Sequence, residues 1–180
     1  MAMNRRRVLW TVAAAVMAAG QILGAQESLR ITPFVRDNQV VVSFELADAY
    51  SDAVRDAIAS GLRTTFSYEL ELRTVVPGWV DRTIAQTVVS TTDQYDNLTR
   101  RHSLSRSVDG RVEEATVVEN EDVVKTWLTR WKQVRVADTS RLDPTREYYV
   151  RITTRARPVG GSLLGLTRSI SGQAKFTFIP

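Results

Sequence analysis

The amino-acid sequence predicts a mainly β (β-rich α+β) domain, an antiparallel sandwich-like or curled sheet with two short helices packed alongside. Three observations lead there. Apolar and polar residues alternate along several segments, most regularly from Leu62 to Thr74. Turn signals such as Pro77-Gly78 and Asp109-Gly110 separate those segments at hairpin distances. Helical spacing of apolar residues is confined to two stretches, one after Ser51 and one after Asn120.

In chain order, Leu29 and Ile31 suggest a first strand ending near Pro33, and Val40, Val42, Phe44 and Leu46 line one face of a second. Ser51 opens a short helix through Val54, Ala57 and Ile58 that Gly61 terminates. Leu62, Phe66, Tyr68, Leu70 and Leu72 then share one face of a long strand, while Arg63, Ser67, Glu69, Glu71 and Arg73 wet the other. Pro77-Gly78 turns the chain into an antiparallel partner from Val80 to Ser90, and Tyr95 to Arg101 reads as a further strand.

Asp109-Gly110 favours the positive backbone angles of a tight hairpin, whose arms are Ser103 to Val108 and Arg111 to Val118. Asn120 caps a second helix with Glu121 and Asp122 in its first turn, where acidic groups complement the helix dipole. Val123, Val124, Trp127, Leu128 and Trp131 form its apolar stripe, with Arg130 and Lys132 near its end. Val134 and Val136 suggest a short strand, and Leu142-Asp143-Pro144 a turn. Tyr148, Val150, Ile152, Thr154 and Ala156 then line one side of another strand. Gly160-Gly161 opens a small-residue loop, and Phe176, Phe178 and Ile179 end the chain in a last strand.

Residues 1–25 have the layout of a secretory signal: Arg5, Arg6 and Arg7, an apolar run from Val8 to Gly24, and small residues before Gln26. Cleavage after Ala25 or Gly20 fits; the alternative is an uncleaved anchor, disfavoured by the weak insertion of alanine and by Gln21. Asn4 to Leu9 loosely matches a twin-arginine pattern, with general secretion preferred. Residues 26–180 are expected to form a single β-rich domain of the periplasm or cell envelope.

The net charge of +4 belongs largely to that segment, since its loss leaves 21 basic against 20 acidic side chains. A nucleic-acid partner is therefore not expected. With no cysteine, the chain has no disulfide framework, thiolate metal site or cysteine nucleophile.

His102 is the sole histidine, which excludes multi-histidine metal sites and leaves a general base without an evident orienting partner. Beside Arg100 and Arg101 it reads as a surface residue. Glu69 and Glu71 share a strand face and read as solvated, and Asp93 and Asp96 match no calcium loop. No phosphate-binding loop is present, no catalytic, metal or cofactor residue stands out, and no cofactor is expected. The candidate partner contacts are Trp79, in the Pro-Gly turn, and the basic stripe Arg151, Arg155 and Arg157. Trp127 and Trp131 are either core or the lining of a ligand pocket beneath their helix.

The order of features resembles domain-of-unknown-function family 4390. The resemblance rests on Ala57 to Leu62 after a short helix, the Phe66 to Arg73 strand, a turn containing Trp79, Tyr95 ahead of a strand and second helix, and Tyr148 to Ile152. It covers most of the chain from Leu29 onward. Members carry a richer tryptophan cluster after the long strand and a proline-containing leucine segment near the end; here Trp79 alone stands for the first, and Val159 to Leu166 replaces the second. The resemblance implies an exported bacterial envelope protein. Because some members are encoded beside a membrane sensor kinase, it also implies a partner of that kind.

These readings lead to a non-enzymatic protein-interaction module whose partner is an envelope or inner-membrane protein. Membrane contact is expected only through the N-terminal segment if uncleaved. The alternative is a carrier or sensor of a small apolar or anionic ligand, which requires an open cavity beneath the second helix.

Overall fold

Residues 29–158 and 169–178 are described by a computed structural model, with 155–158 and 169 in backbone only. Strand β1 (Leu29–Arg36) folds back on β2 (Gln39–Leu46) through Asp37 and Asn38, whose φ values of 49° and 58° are those of a two-residue hairpin turn. β1 does not end at Pro33. That residue pairs opposite Val42 within an edge strand, where a missing N–H is tolerated.

Helix α1 (Asp52–Ala59) is capped by Ser51, whose Oγ accepts from the Val54 N–H, and it buries Val54, Ala57 and Ile58. It ends in a Schellman closure: the Gly61 N–H donates to the Ile58 carbonyl at 2.8 Å and the Leu62 N–H to Ala57 at 3.1 Å. Gly61 has φ +80°, and an added Cβ would stand 3.0 Å from Asn97 Nδ2.

The long strand β3 (Thr64–Thr74) buries every even-numbered residue from Thr64 to Thr74 and leaves the odd ones half-buried. β4 (Arg82–Asp96) is a single strand of 15 residues. This corrects the reading that placed a separate strand over Tyr95 to Arg101: Asn97 to Arg100 form a turn, with Asp96 Oδ1 accepting from the Leu98 N–H at 2.8 Å and Arg100 at φ 58°. β5 (Arg101–Val108) and β6 (Arg111–Val118) make the hairpin around Asp109-Gly110.

Helix α2 (Glu121–Thr129) begins at Asn120, which accepts from Asp122 and Val123, and it stops two residues before Trp131. Arg130 is already extended, and β7 (Arg130–Asp138) pairs with β2, placing Trp131 opposite Phe44. Strand pairing with β2 thus overrides the helical spacing of Trp127 and Trp131. β8 (Tyr148–Pro158) and β9 (Ser169–Phe176) complete the chain as described. Phe178 lies beyond β9; Ile179, the Gly160-Gly161 loop and the signal segment fall outside the described residues.

The strands form two antiparallel sheets, ordered β1-β2-β7 and β6-β5-β4-β3-β8-β9. The fold is therefore mainly β and sandwich-like, with its core between the sheets. Phe44 of the smaller sheet meets Tyr68 of the larger at a ring distance of 4.9 Å, and Val42, Leu70, Leu72, Val150 and Ile152 are fully buried around them. Each such side chain contributes about 1.5–3 kcal/mol on burial. Gly172 on β9 lets β1 approach, since a Cβ there would stand 3.0 Å from Leu29 Cδ2.

Candidate functional site

The segment joining β3 to β4 is held from below and bare on top. Its Val76-Pro77-Gly78-Trp79 turn closes with the Trp79 N–H donating to the Val76 carbonyl at 3.1 Å, and Gly78 at φ +74° supplies the positive angle a type II turn needs. Asp81 pins both sides of the loop. Its Oδ1 accepts from the Val76 N–H at 3.2 Å, its Oδ2 accepts from the Tyr149 hydroxyl at 2.8 Å, and its carbonyl accepts from Arg73 Nη2 at 2.7 Å. The Tyr149 hydrogen bond, then the one from Val76, holds the Asp81 carboxyl below the usual carboxylate range. On this frame Trp79 is 81% exposed and Val80 73% exposed.

Beside the loop lies a groove of about 470 Å³, and it is basic. Arg82, Arg141 and Arg146 line it with Asp143 and Tyr148. Arg146 is paired with Asp143 at 3.5 Å, whereas Arg82 and Arg141 have no carboxylate partner among the described residues. Sequence reasoning missed this cluster because the three arginines come from the start of β4 and from the β7–β8 connection, which only the fold brings together.

Arg151, Arg155 and Arg157 lie on one side of β8, opposite Glu71, Ser67 and Thr65 of β3. Arg151 Nε donates to Glu71 Oε2 at 2.7 Å across the β3–β8 register, and Arg73 adds a second contact to Glu71 at 3.7 Å. Glu71 is therefore a shared ion-pair partner, only 17% exposed in its side chain, and Glu69 accepts from Gln86 at 2.7 Å. The side chains of Arg155 and Arg157 lie outside the described residues.

His102 is corrected from a surface position to a buried one. It is 8% exposed, its Nδ1 lies 2.9 Å from Asp93 Oδ2, and its ring is 4.5 Å from that of Tyr95. Asp93 is fully buried and its Oδ1 has no hydrogen-bond partner. Burial pushes its carboxyl above the ordinary range, against the opposing pull of His102. An orienting partner for the imidazole thus exists nine residues upstream, across the β4–β5 turn.

The space under α2 is filled. Val124 and Leu128 are fully buried, and the Arg106 guanidinium stacks 4.3 Å from the Trp127 ring centroid and 4.8 Å from that of Trp131. Arg106 Nη2 donates to the Trp127 carbonyl at 2.9 Å and to the Arg130 carbonyl at 2.7 Å. Tyr68 donates to the Leu128 carbonyl at 2.7 Å from the opposite side. Among the described residues these contacts fill the space beneath the helix, where a carrier built under it would need an open cavity.

Among the described residues no group of three metal-ligating side chains converges, and no helix is long and apolar enough to cross a membrane. No curated protein and no solved structure matches the chain. The model of the family described as domain of unknown function (DUF4390) matches residues 26–158, most of the chain including the Trp79 loop and the Asp93–His102 pair, and the protein belongs to that family.

Proposed function

We propose that the protein is an exported, non-enzymatic interaction module of the cell envelope that docks a partner protein through the Trp79 loop. The observation that carries this reading is a tryptophan held out by a braced turn. Trp79 is 81% exposed, while Asp81, Tyr149, Arg73 and Val76 fix the backbone beneath it. A large rigid aromatic on a preorganised loop loses little conformational freedom on binding, which is the profile of an interface anchor.

The neighbouring Arg82 and Arg141 indicate the partner's character: an apolar pocket for Trp79 and Val80, rimmed by carboxylates. Export is supported by the Arg5 to Ala25 segment, and it makes an envelope or inner-membrane protein, such as a sensor kinase, the partner expected.

The test is affinity recovery of the tagged full chain from crosslinked native membranes, followed by mass spectrometry. One envelope protein is expected with the wild type and is expected to be lost with Trp79→Ala. Equal recovery from both chains, or the wild type recovered alone, overturns the proposal.

A further inference from the structure

The far end of the larger sheet carries a second feature, roughly 35 Å along β4 from the Trp79 loop. There α1, the β4–β5 turn and the approach to α2 enclose a groove of about 540 Å³, and His102 lines it. Behind the imidazole stands Asp93, fully buried, with Oδ2 on His102 Nδ1 and Oδ1 unpaired. A buried carboxylate with an empty acceptor is costly to keep, so its retention calls for a compensating group. The tautomer that donates Nδ1–H to an ionised Asp93 leaves Nε2 as a hydrogen-bond acceptor with no protein partner among the described residues.

Acidic side chains outnumber basic ones on the groove wall. Arg55 is taken by Asp52, and Glu119 by Arg101 at 3.0 Å. Asp56 has no ion-pair partner among the described residues, and Glu121 feels Arg55 only through space; the wall holds Asp56, Glu119 and Glu121 against Arg55 and Arg100, and with Asp93 behind it the balance is negative. Tyr50, whose hydroxyl donates to Glu121 Oε1 at 3.3 Å, and Tyr95 supply aromatic walls. An acceptor nitrogen backed by a buried anion, two rim carboxylates and two aromatic rings together suit an organic cation.

We infer that this groove binds a primary ammonium or guanidinium group, which donates to His102 Nε2 and is held by Asp56 and Glu121. The group is carried either by a free amine or by a lysine or arginine side chain of a partner protein. The site is independent of the Trp79 loop.

Two-dimensional NMR of the full chain, titrated with cadaverine, with an end-blocked glycyl-lysyl-glycine peptide and with neutral pentanediol, tests the inference. Saturable shifts of the His102, Tyr95 and Tyr50 resonances are expected with cadaverine if the ligand is a free amine. Saturation with the peptide alone indicates a side-chain ligand. Shifts from both no larger than those from pentanediol overturn the inference.

Asp93→Asn is expected to weaken binding by about tenfold or more, the scale of one charge-assisted contact. Because residue 93 is buried, the double variant Asp56→Asn, Glu121→Gln on the groove rim provides a second check. It is expected to weaken binding by a similar factor, and unchanged affinity in that variant also overturns the inference.

Discussion

The Tyr149 hydroxyl donates to Asp81 Oδ2 at 2.8 Å, tying the β3–β4 loop to the neighbouring strand β8. Through this bond, Trp79 is presented by a fixed frame and does not fold back onto the sheet. Tyr149→Phe is expected to leave the fold intact at a cost of about 1 kcal/mol, while loosening the loop. Faster amide hydrogen exchange from Val76 to Asp81 than elsewhere is the measurement that checks it.

The same bond makes the loop sensitive to acid. Asp81 has a folded pKa depressed below its unfolded value, so its contribution is complete above the ordinary carboxylate pKa and is lost as pH falls through the folded value. Trp79 fluorescence anisotropy is therefore expected to fall only below about pH 4, and Asp81→Asn to show the loosened behaviour with no such step.

Arg106 is a structural cation. Arg106→Ala removes the group between Trp127 and Trp131 and one donor to each of the carbonyls of Trp127 and Arg130, the former keeping only the Thr91 hydroxyl at 3.3 Å, an expected loss of about 2–4 kcal/mol in urea unfolding. Arg106→Lys keeps the charge without the planar fork and is expected to recover less than half of that loss, since stacking and two-carbonyl bonding both depend on the guanidinium plane.

Asp93 shows the opposite linkage to Asp81. Its folded pKa is raised by burial, so the folded state binds the proton more readily and stability falls as pH rises through the window above the unfolded value. Asp93→Asn retains an acceptor for His102 and removes the buried charge. In the absence of ligand its unfolding midpoint at pH 7 is expected above that of the wild type, with the difference vanishing in acid below about pH 4. An equal midpoint at both pH values would show that Asp93 bears no desolvation cost.

Much of the sandwich was legible in the sequence, because local chemistry specifies it. The alternation in β3 places Phe66, Tyr68, Leu70 and Leu72 inside; Asn120 caps α2 by its own side chain, and Asp109-Gly110 sets the β5–β6 turn. What was illegible depends on register. Trp131 sits four residues after Trp127, as a helix would have it, but its place is decided by pairing with Phe44, 87 positions earlier. His102 follows two arginines and looks exposed; its burial comes from Asp93 across a turn that the run from Tyr95 to Arg101 disguises as strand. For the candidate docking surface, Trp79 was visible from its Pro-Gly context. The adjoining Arg82, Arg141 and Arg146 were not, since no periodicity links residues that meet through sheet topology.

The most direct test of the docking account places a photoreactive phenylalanine analogue at position 79 and, as control, at Val117, which is also exposed but lies on the edge strand β6. After irradiation of intact cells, the account predicts one crosslinked envelope protein from position 79 and none from position 117. Crosslinking from position 117 alone, or an uncrosslinked chain at both positions, would contradict it.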